Sequence, residues 1–176
     1  METIFKNIPF LSDLLDAIPS NIFVFDRDLR IVFSNAAASN LTGRDPDKNV
    51  LKLCGEAINC FNSVESGLEC GKTPFCDDCV LRKSIENAFQ GQKSNRTPGE
   101  FTLIKNQKSC RINFKISAFP LRHNGDIFVV ALLDDDIEIS ELRELLPICA
   151  WCKKIRDDQD YWHRVEDYLS KHMDIQ

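Results

Sequence analysis

Four cysteines fall within twenty residues of this chain, at Cys60, Cys70, Cys76 and Cys79, in the run C-FNSVESGLE-C-GKTPF-C-DD-C. The last two form a C-x-x-C pair, a spacing that lets two sulfurs reach one metal from a single turn. The residues between them are mostly Gly, Ser, Asn, Glu, Lys and Pro. Such a segment has too few apolar side chains to offset its ordering entropy by packing. Four thiolates on one centre would offset it, because structural zinc is worth roughly 10–16 kcal/mol apparent in small peptides. A set of four cysteines suits tetrahedral zinc or an iron–sulfur cluster. The choice of metal stays open, and because the close ferredoxin run with a trailing Pro is absent, iron–sulfur has no direct motif support. The competing readings are a thiol redox pair at Cys76 and Cys79, or cysteines with no role.

A second candidate set lies near the end of the sequence. Cys149 and Cys152 form another C-x-x-C pair, with His163 and His172 downstream. The interval from Cys152 to His163 is similar to a zinc finger's, but the gap between the histidines exceeds the usual three to five residues. No Gly-rich phosphate loop, kinase signature or Gly-x-Ser-x-Gly is present, so no catalytic domain is expected. Asp134-Asp135-Asp136 and Asp157-Asp158 read as a solvated linker and a turn.

The elements that must position these cysteines follow from periodicity. The chain has 176 residues, 43% hydrophobic and 28% charged, with net charge −5 and pI about 5.2. A general nucleic-acid role lacks its basic footprint. No apolar run reaches the length of a membrane span, and the N-terminus does not read as a signal peptide. The expected location is therefore cytoplasmic, where clustered cysteines stay reduced. Residues 8–18 place Phe10, Leu14, Leu15 and Ile18 on one helical stripe, with Ser12 as a candidate cap. NIFVFD and LRIVFS read as a hairpin turning at Asp26-Arg27-Asp28. Ser34-Asn35 caps a short helix that Thr42-Gly43 stops.

Beyond the cysteines, Asp77 or Asp78 starts a helix carrying Leu81, Ile85, Ala88 and Phe89, and Gly91 ends it. Residues 92–99 read as a polar turn or loop, and Glu100 to Lys105 as a strand. Ser109 to Ala118 alternates, with Cys110, Ile112, Phe114, Ile116 and Ala118 on the core face. A turn at His123-Asn124-Gly125-Asp126 leads to an apolar central strand, Ile127 to Leu133. Trp162, Val165, Tyr168 and Leu169 form a helical stripe in the tail.

This order, carried by NIFVFDRDLRIVFSNAAASNLTG, the helix ending at Gly91 and the closing IFVVALLDD, resembles a PAS domain. The resemblance implies an α+β fold: a five-stranded antiparallel sheet with helices on one face, over residues 10–135 with a cysteine-rich insert at 54–79. Asp136-Ile137-Glu138-Ile139-Ser140 is similar to the junction through which PAS domains signal into a helical linker, here 136–146. Ile137, Leu142, Leu145 and Leu146 offer an apolar stripe there, which suits a homodimer.

Gly55-Glu56-Ala57-Ile58-Asn59-Cys60, Cys70-Gly71 and Phe75-Cys76-Asp77-Asp78-Cys79 are similar to a bacterial signalling PAS subgroup with four cysteines between the early helices and the long one. Cys54 and Cys110 lie outside that pattern. LPICAWCKKIRDDQDYWHRVEDYLSKH resembles a C-terminal segment of bacterial response regulators and sensor proteins. In that family a second cysteine pair follows, so the tail at 147–176 is expected to be incomplete. None of the three histidines falls on the helix where a PAS haem ligand often sits. Asn59-Cys60-Phe61 lacks the Arg of the photoreactive flavin motif. Neither haem nor flavin is expected. The resemblance implies a non-catalytic module of a two-component system that senses redox state or metal through zinc or an iron–sulfur cluster. Its partner would be a downstream signalling protein or output domain, with neither nucleic acid nor membrane. The alternatives are a structural zinc-stapled interaction domain and a thiol redox enzyme.

Overall fold

A computed structural model describes residues 9–105, 107–135, 152, 154–156, 161–164 and 167. The chain divides into two units, Met1–Asp136 and Ile137–Gln176. The first is α+β, with five antiparallel strands in the order β2-β1-β5-β4-β3. No helix among the described residues is long and apolar enough to cross a membrane.

Strands β1 (Asn21–Phe25) and β2 (Ile31–Ser34) form the expected hairpin. The Asp26 carboxylate closes its turn, accepting from the N–H groups of Asp28 and Arg30 at 3.0 and 2.9 Å. Asn35 caps α2 (Ala36–Thr42) through the N–H of Ala38, and Gly43 ends the helix at φ +65°. Two short helical segments follow, a 3-10 turn at Pro46–Asn49 and α3 (Cys54–Ala57). Then come α4 (Phe61–Ser66), a 3-10 turn at Cys76–Asp78 and α5 (Val80–Phe89). The remaining strands are β3 (Ser94–Lys105), β4 (Lys108–His123) and β5 (Asp126–Asp135). Strand β5 is central, as its unbroken apolar run predicts. The core lies on one face of the sheet, where Phe23, Phe25, Phe114, Ile116 and Leu133 meet Ala38, Leu41, Leu81, Ile85 and Ala88.

Several expectations need correction. Ser12 sits inside helix α1 (Pro9–Asp16) rather than capping it. Its apolar stripe is only partly used, since Phe10 is 75% and Leu14 51% exposed. Helix α5 begins after Cys79, with Asp77 and Asp78 in the 3-10 turn before it. Residues 94–99 are strand, not loop. Pro98 is tolerated there because β3 pairs only with β4, at the sheet's edge, where a missing N–H costs no ladder bond. Cys110 is exposed, not on the core. Among the described residues, pairing of β4 with β5 starts at Phe114–Asp135, and the stretch carrying Cys110 pairs with β3.

In the second unit β6 (Ile155–Arg156) pairs antiparallel with β7 (Trp162–His163). Trp162 is thus on an exposed strand rather than a helical stripe. The 136–140 junction, the stripe Ile137, Leu142, Leu145 and Leu146, and both Cys149 and His172 lie outside the described residues.

Candidate metal centre

Cys60, Cys70 and the Cys76–Cys79 pair reach the same cavity from three different supports. Cys60 is the N-cap of α4, and its N–H donates to the Gly55 carbonyl at 2.8 Å. A bridge from Cys60 to Leu103, with Ile104 N–H donating to the Asn59 carbonyl at 2.8 Å, ties this point to β3. Arg44 secures the end of α3 just before it. Its guanidinium donates to the carbonyls of Glu56 and Ala57 at 2.9 and 2.8 Å and to Asn59 Oδ1 at 2.7 Å. Cys76 opens the 3-10 turn and Cys79 is the N-cap of α5. Cys70 lies against Gly55, where a Cβ would stand 2.8 Å from the Cys70 sulfur.

All four line one cavity of about 250 Å³, together with Cys54 at the start of α3. Leu53, Ile58, Leu81, Ile85 and Phe101 supply apolar wall, and Arg82 a cation. The four candidate ligands are half-buried free thiols, and Cys54 is buried. Among the described residues, no three His, Cys, Asp or Glu side chains already stand close enough to grip one ion. The sulfurs surround the cavity instead of meeting at a point.

The backbone is arranged to receive sulfur. Cys76 Sγ accepts from Gly71 N–H at 3.1 Å and lies 3.0 Å from Thr73 Oγ1. The Gly55 amide faces Cys70, and the Leu81 and Arg82 amides at the start of α5 face Cys79. Donors aimed at sulfur favour thiolate and orient it, as outer-shell groups do around bound metals. Gly71 is required twice over. Its φ is +96°, and the Arg82 guanidinium packs where its side chain would be.

The thiols differ in acidity. Burial raises Cys70 to about 11, reinforced by the sulfurs of Cys76, Cys79 and Cys60 and opposed by the Gly55 amide. Burial likewise raises Cys79 and, more strongly, Cys54, which also faces Cys70, Cys79 and Cys60. At Cys76 burial also pushes upward, but Thr73, the Gly71 and Thr73 amides and Arg82 outweigh it and hold the thiol below its ordinary value. Since thiolate is the nucleophile, iodoacetamide near neutral pH should modify Cys76 before Cys70, Cys79 or Cys54 in metal-free protein. Peptide mass mapping after short pulses checks this order. Cys70 keeps its proton to about 11, where an ordinary thiol loses it near 9.0. That contribution to metal-free stability is therefore present below pH ~9 and is lost as pH rises towards ~11.

Gly55→Ala should drive Cys70 away from the cavity, because the new Cβ would lie 2.8 Å from its sulfur and 3.0 Å from its Cβ. Displacing a ligand's support typically weakens metal affinity by about 10- to 100-fold. Competition with a chromophoric chelator measures the loss.

Cys54 and Arg82 enter the site without having been singled out as participants. Cys54 shows no spacing relation to the four, and only the return of α3 beside α5 brings it to the cavity. Arg82 reads in sequence as an ordinary helix-surface charge. Of the second candidate set, Cys152 is exposed and His163 half-buried on β7.

Residues 10–76 match the family model described as a PAS domain. Solved structures similar to the chain include the PAS domain of nitrogen regulation protein NR(II) from Vibrio parahaemolyticus. That match is 11% identical with a TM-score of 0.45, covering 70% of this chain and 95% of that one. A PAS domain from Desulfitobacterium hafniense is 19% identical with a TM-score of 0.46, covering 70% and 98%. One from Colwellia psychrerythraea is 11% identical with a TM-score of 0.49, covering 74% and 97%. Comparison with curated proteins gives no significant match.

Proposed function

The chain carries a PAS domain, a sensory module of signalling proteins, and from that premise we propose that it senses redox state or metal through a centre held by Cys60, Cys70, Cys76 and Cys79. The observation that carries this reading is the convergence of all four sulfurs on one cavity from three separate supports. The amides of Gly55, Gly71, Leu81 and Arg82 orient three of those sulfurs. When bound, the centre supplies either a structural cross-link or a reversible change of charge.

The chain's own residues would transmit that change. Cys79 caps α5, which packs Leu81, Ile85 and Ala88 onto the core of the sheet. Arg82, one turn into α5, faces Cys76 and pairs with Glu86 at 2.9 Å. Releasing Cys79 and Cys76 therefore loosens the first turn of α5 and its hold on the sheet. The output would be a downstream partner or domain of a cytoplasmic signalling pathway, reached through the 136–146 segment, with self-association as a further consequence. The protein would act by binding rather than catalysis.

Hydrogen exchange of the full chain tests this, comparing anaerobic metal-loaded protein with the same sample after oxidation. Faster exchange in residues 60–79, in α5 and in the segment after β5 is expected. A change confined to residues 60–79 favours a zinc staple without signalling.

One observation favours a second reading. Within the Cys76-x-x-Cys79 pair, the first thiol is held low and the second high, the asymmetry of an attacking and a resolving cysteine. A disulfide-reduction assay separates the two: activity abolished in Cys76→Ser supports catalysis, and none in the wild type excludes it.

A further inference from the structure

The geometry points to a polynuclear iron–sulfur cluster, rather than a lone ion, as the occupant of the five-cysteine cavity, with Cys60, Cys70, Cys76 and Cys79 as ligands and Cys54 as a bystander. This rests on the reading of these cysteines as one metal centre and names its chemical class.

Space is the first argument. Zinc with Zn–S bonds of ~2.3 Å in a tetrahedron draws its sulfurs to about 3.8 Å of one another and leaves no void between them. Here the four sulfurs are spread around a cavity of about 250 Å³ that Cys54, Arg82 and apolar side chains also line. No three ligand side chains among the described residues stand at single-ion spacing. A cubane cluster gives each thiolate its own iron, so the four sulfurs stay well apart and iron and sulfide fill the volume between them.

Support is the second. Structural zinc commonly takes its ligands in closely spaced pairs from two short turns. Only Cys76 and Cys79 form such a pair. Cys60 comes singly from the start of α4, fastened to β3, and Cys70 singly from a loop against Gly55. These fixed positions resist collapse onto one point but suit the corners of a larger body.

Surroundings are the third. Leu53, Ile58, Leu81, Ile85 and Phe101 make a largely apolar wall. Amide donors from Gly55, Gly71, Leu81 and Arg82 face three of the sulfurs, and Arg82 brings a positive charge. Hydrogen bonds to sulfur, net charge and solvent exclusion are the means by which a protein sets a cluster's potential. Zinc, which has no redox chemistry, has no use for that tuning.

The test uses the full chain, purified anaerobically and reconstituted with ferrous iron, sulfide and a thiol reductant, with a parallel sample offered zinc. About four iron and four acid-labile sulfide per chain are expected, with brown absorbance and a paramagnetic signal on reduction by dithionite. Serine at Cys60, Cys70, Cys76 or Cys79 should abolish or strongly reduce iron retention, whereas Cys54→Ser and Cys110→Ser should retain it. Loss in Cys54→Ser would overturn the ligand assignment. One zinc or one iron per chain without sulfide overturns the cluster and leaves the four-cysteine centre standing. Retention of neither metal overturns both. Wild-type stoichiometry decides without any variant, so a serine chain that fails to fold leaves the test intact.

Discussion

If the proposed centre holds, serine at both Cys76 and Cys79 is expected to abolish metal binding and release residues 60–79 while the five-stranded sheet stays folded. Between Cys60 and Cys79 the only buried side chain is that of Thr73. Of the large apolar residues there, Val64, Leu68 and Phe75 are exposed and Phe61 is only half-buried. The ion pairs Lys72–Glu69 and Lys83–Asp78 are solvent-facing and contribute little. What would order the segment on the proposed reading is ligation by its sulfurs, on the scale of roughly 10–16 kcal/mol apparent when a structural metal folds a peptide. The sheet has an independent core around Phe23, Phe114, Ile116 and Leu133. Exchange of amides in residues 61–79 should therefore quicken by at least about 100-fold, with opening free energies falling towards those of mobile loops. Strands β1, β4 and β5 should keep their protection. Unchanged protection across residues 61–79 would show that the sulfurs do not staple the segment.

Asn35→Ala should be the most damaging single change away from the cysteines. Asn35 is fully buried and ties three elements together. Its Oδ1 accepts from the N–H of Ile22 at 3.0 Å, on β1, and of Ala38 at 3.2 Å, in α2. Its Nδ2 donates to the carbonyls of Leu15, Ile18 and Ser20 at 3.0, 3.2 and 3.0 Å, holding the end of α1 and the chain leading into β1. Alanine removes a helix cap, worth about 1 kcal/mol. It also strands several buried backbone groups, at about 1–3 kcal/mol each before relaxation. A net cost of about 4 kcal/mol is expected, a large share of a domain's total stability. The thermal midpoint should fall by roughly 15 °C. Asn35→Asp should also destabilise, because the carboxylate keeps the acceptor but turns negative charge towards three carbonyls. A midpoint shift below about 3 °C for both variants would show that water replaces the amide without cost.

Most of the scaffold was legible because its signals are local. The Asp26–Asp28 turn, the Asn35 cap, the Gly43 stop and the Asn124-Gly125 turn each depend on one or two residues whose backbone preference survives any context. The apolar run in β5 announced a central strand. Errors arose where position in the sheet outranked local chemistry. Pro98 and Gly99 read as loop, yet an edge strand accepts them. Cys110 alternates with true core residues but lies on β4 before its pairing with β5 begins.

By itself, the order of residues determined the α+β architecture and picked out Cys60, Cys70, Cys76 and Cys79, because turn propensity, alternation and cysteine spacing act over a few neighbouring residues. The folded chain alone decided that these sulfurs line one cavity, that Cys54 joins them, and that Arg82 with the Gly55 and Gly71 amides faces them. Those relations depend on how α3, α4 and α5 return to β3 across gaps with no fixed spacing. Only the burial of Leu81, Ile85 and Leu103 in a common core settles where each segment comes to rest.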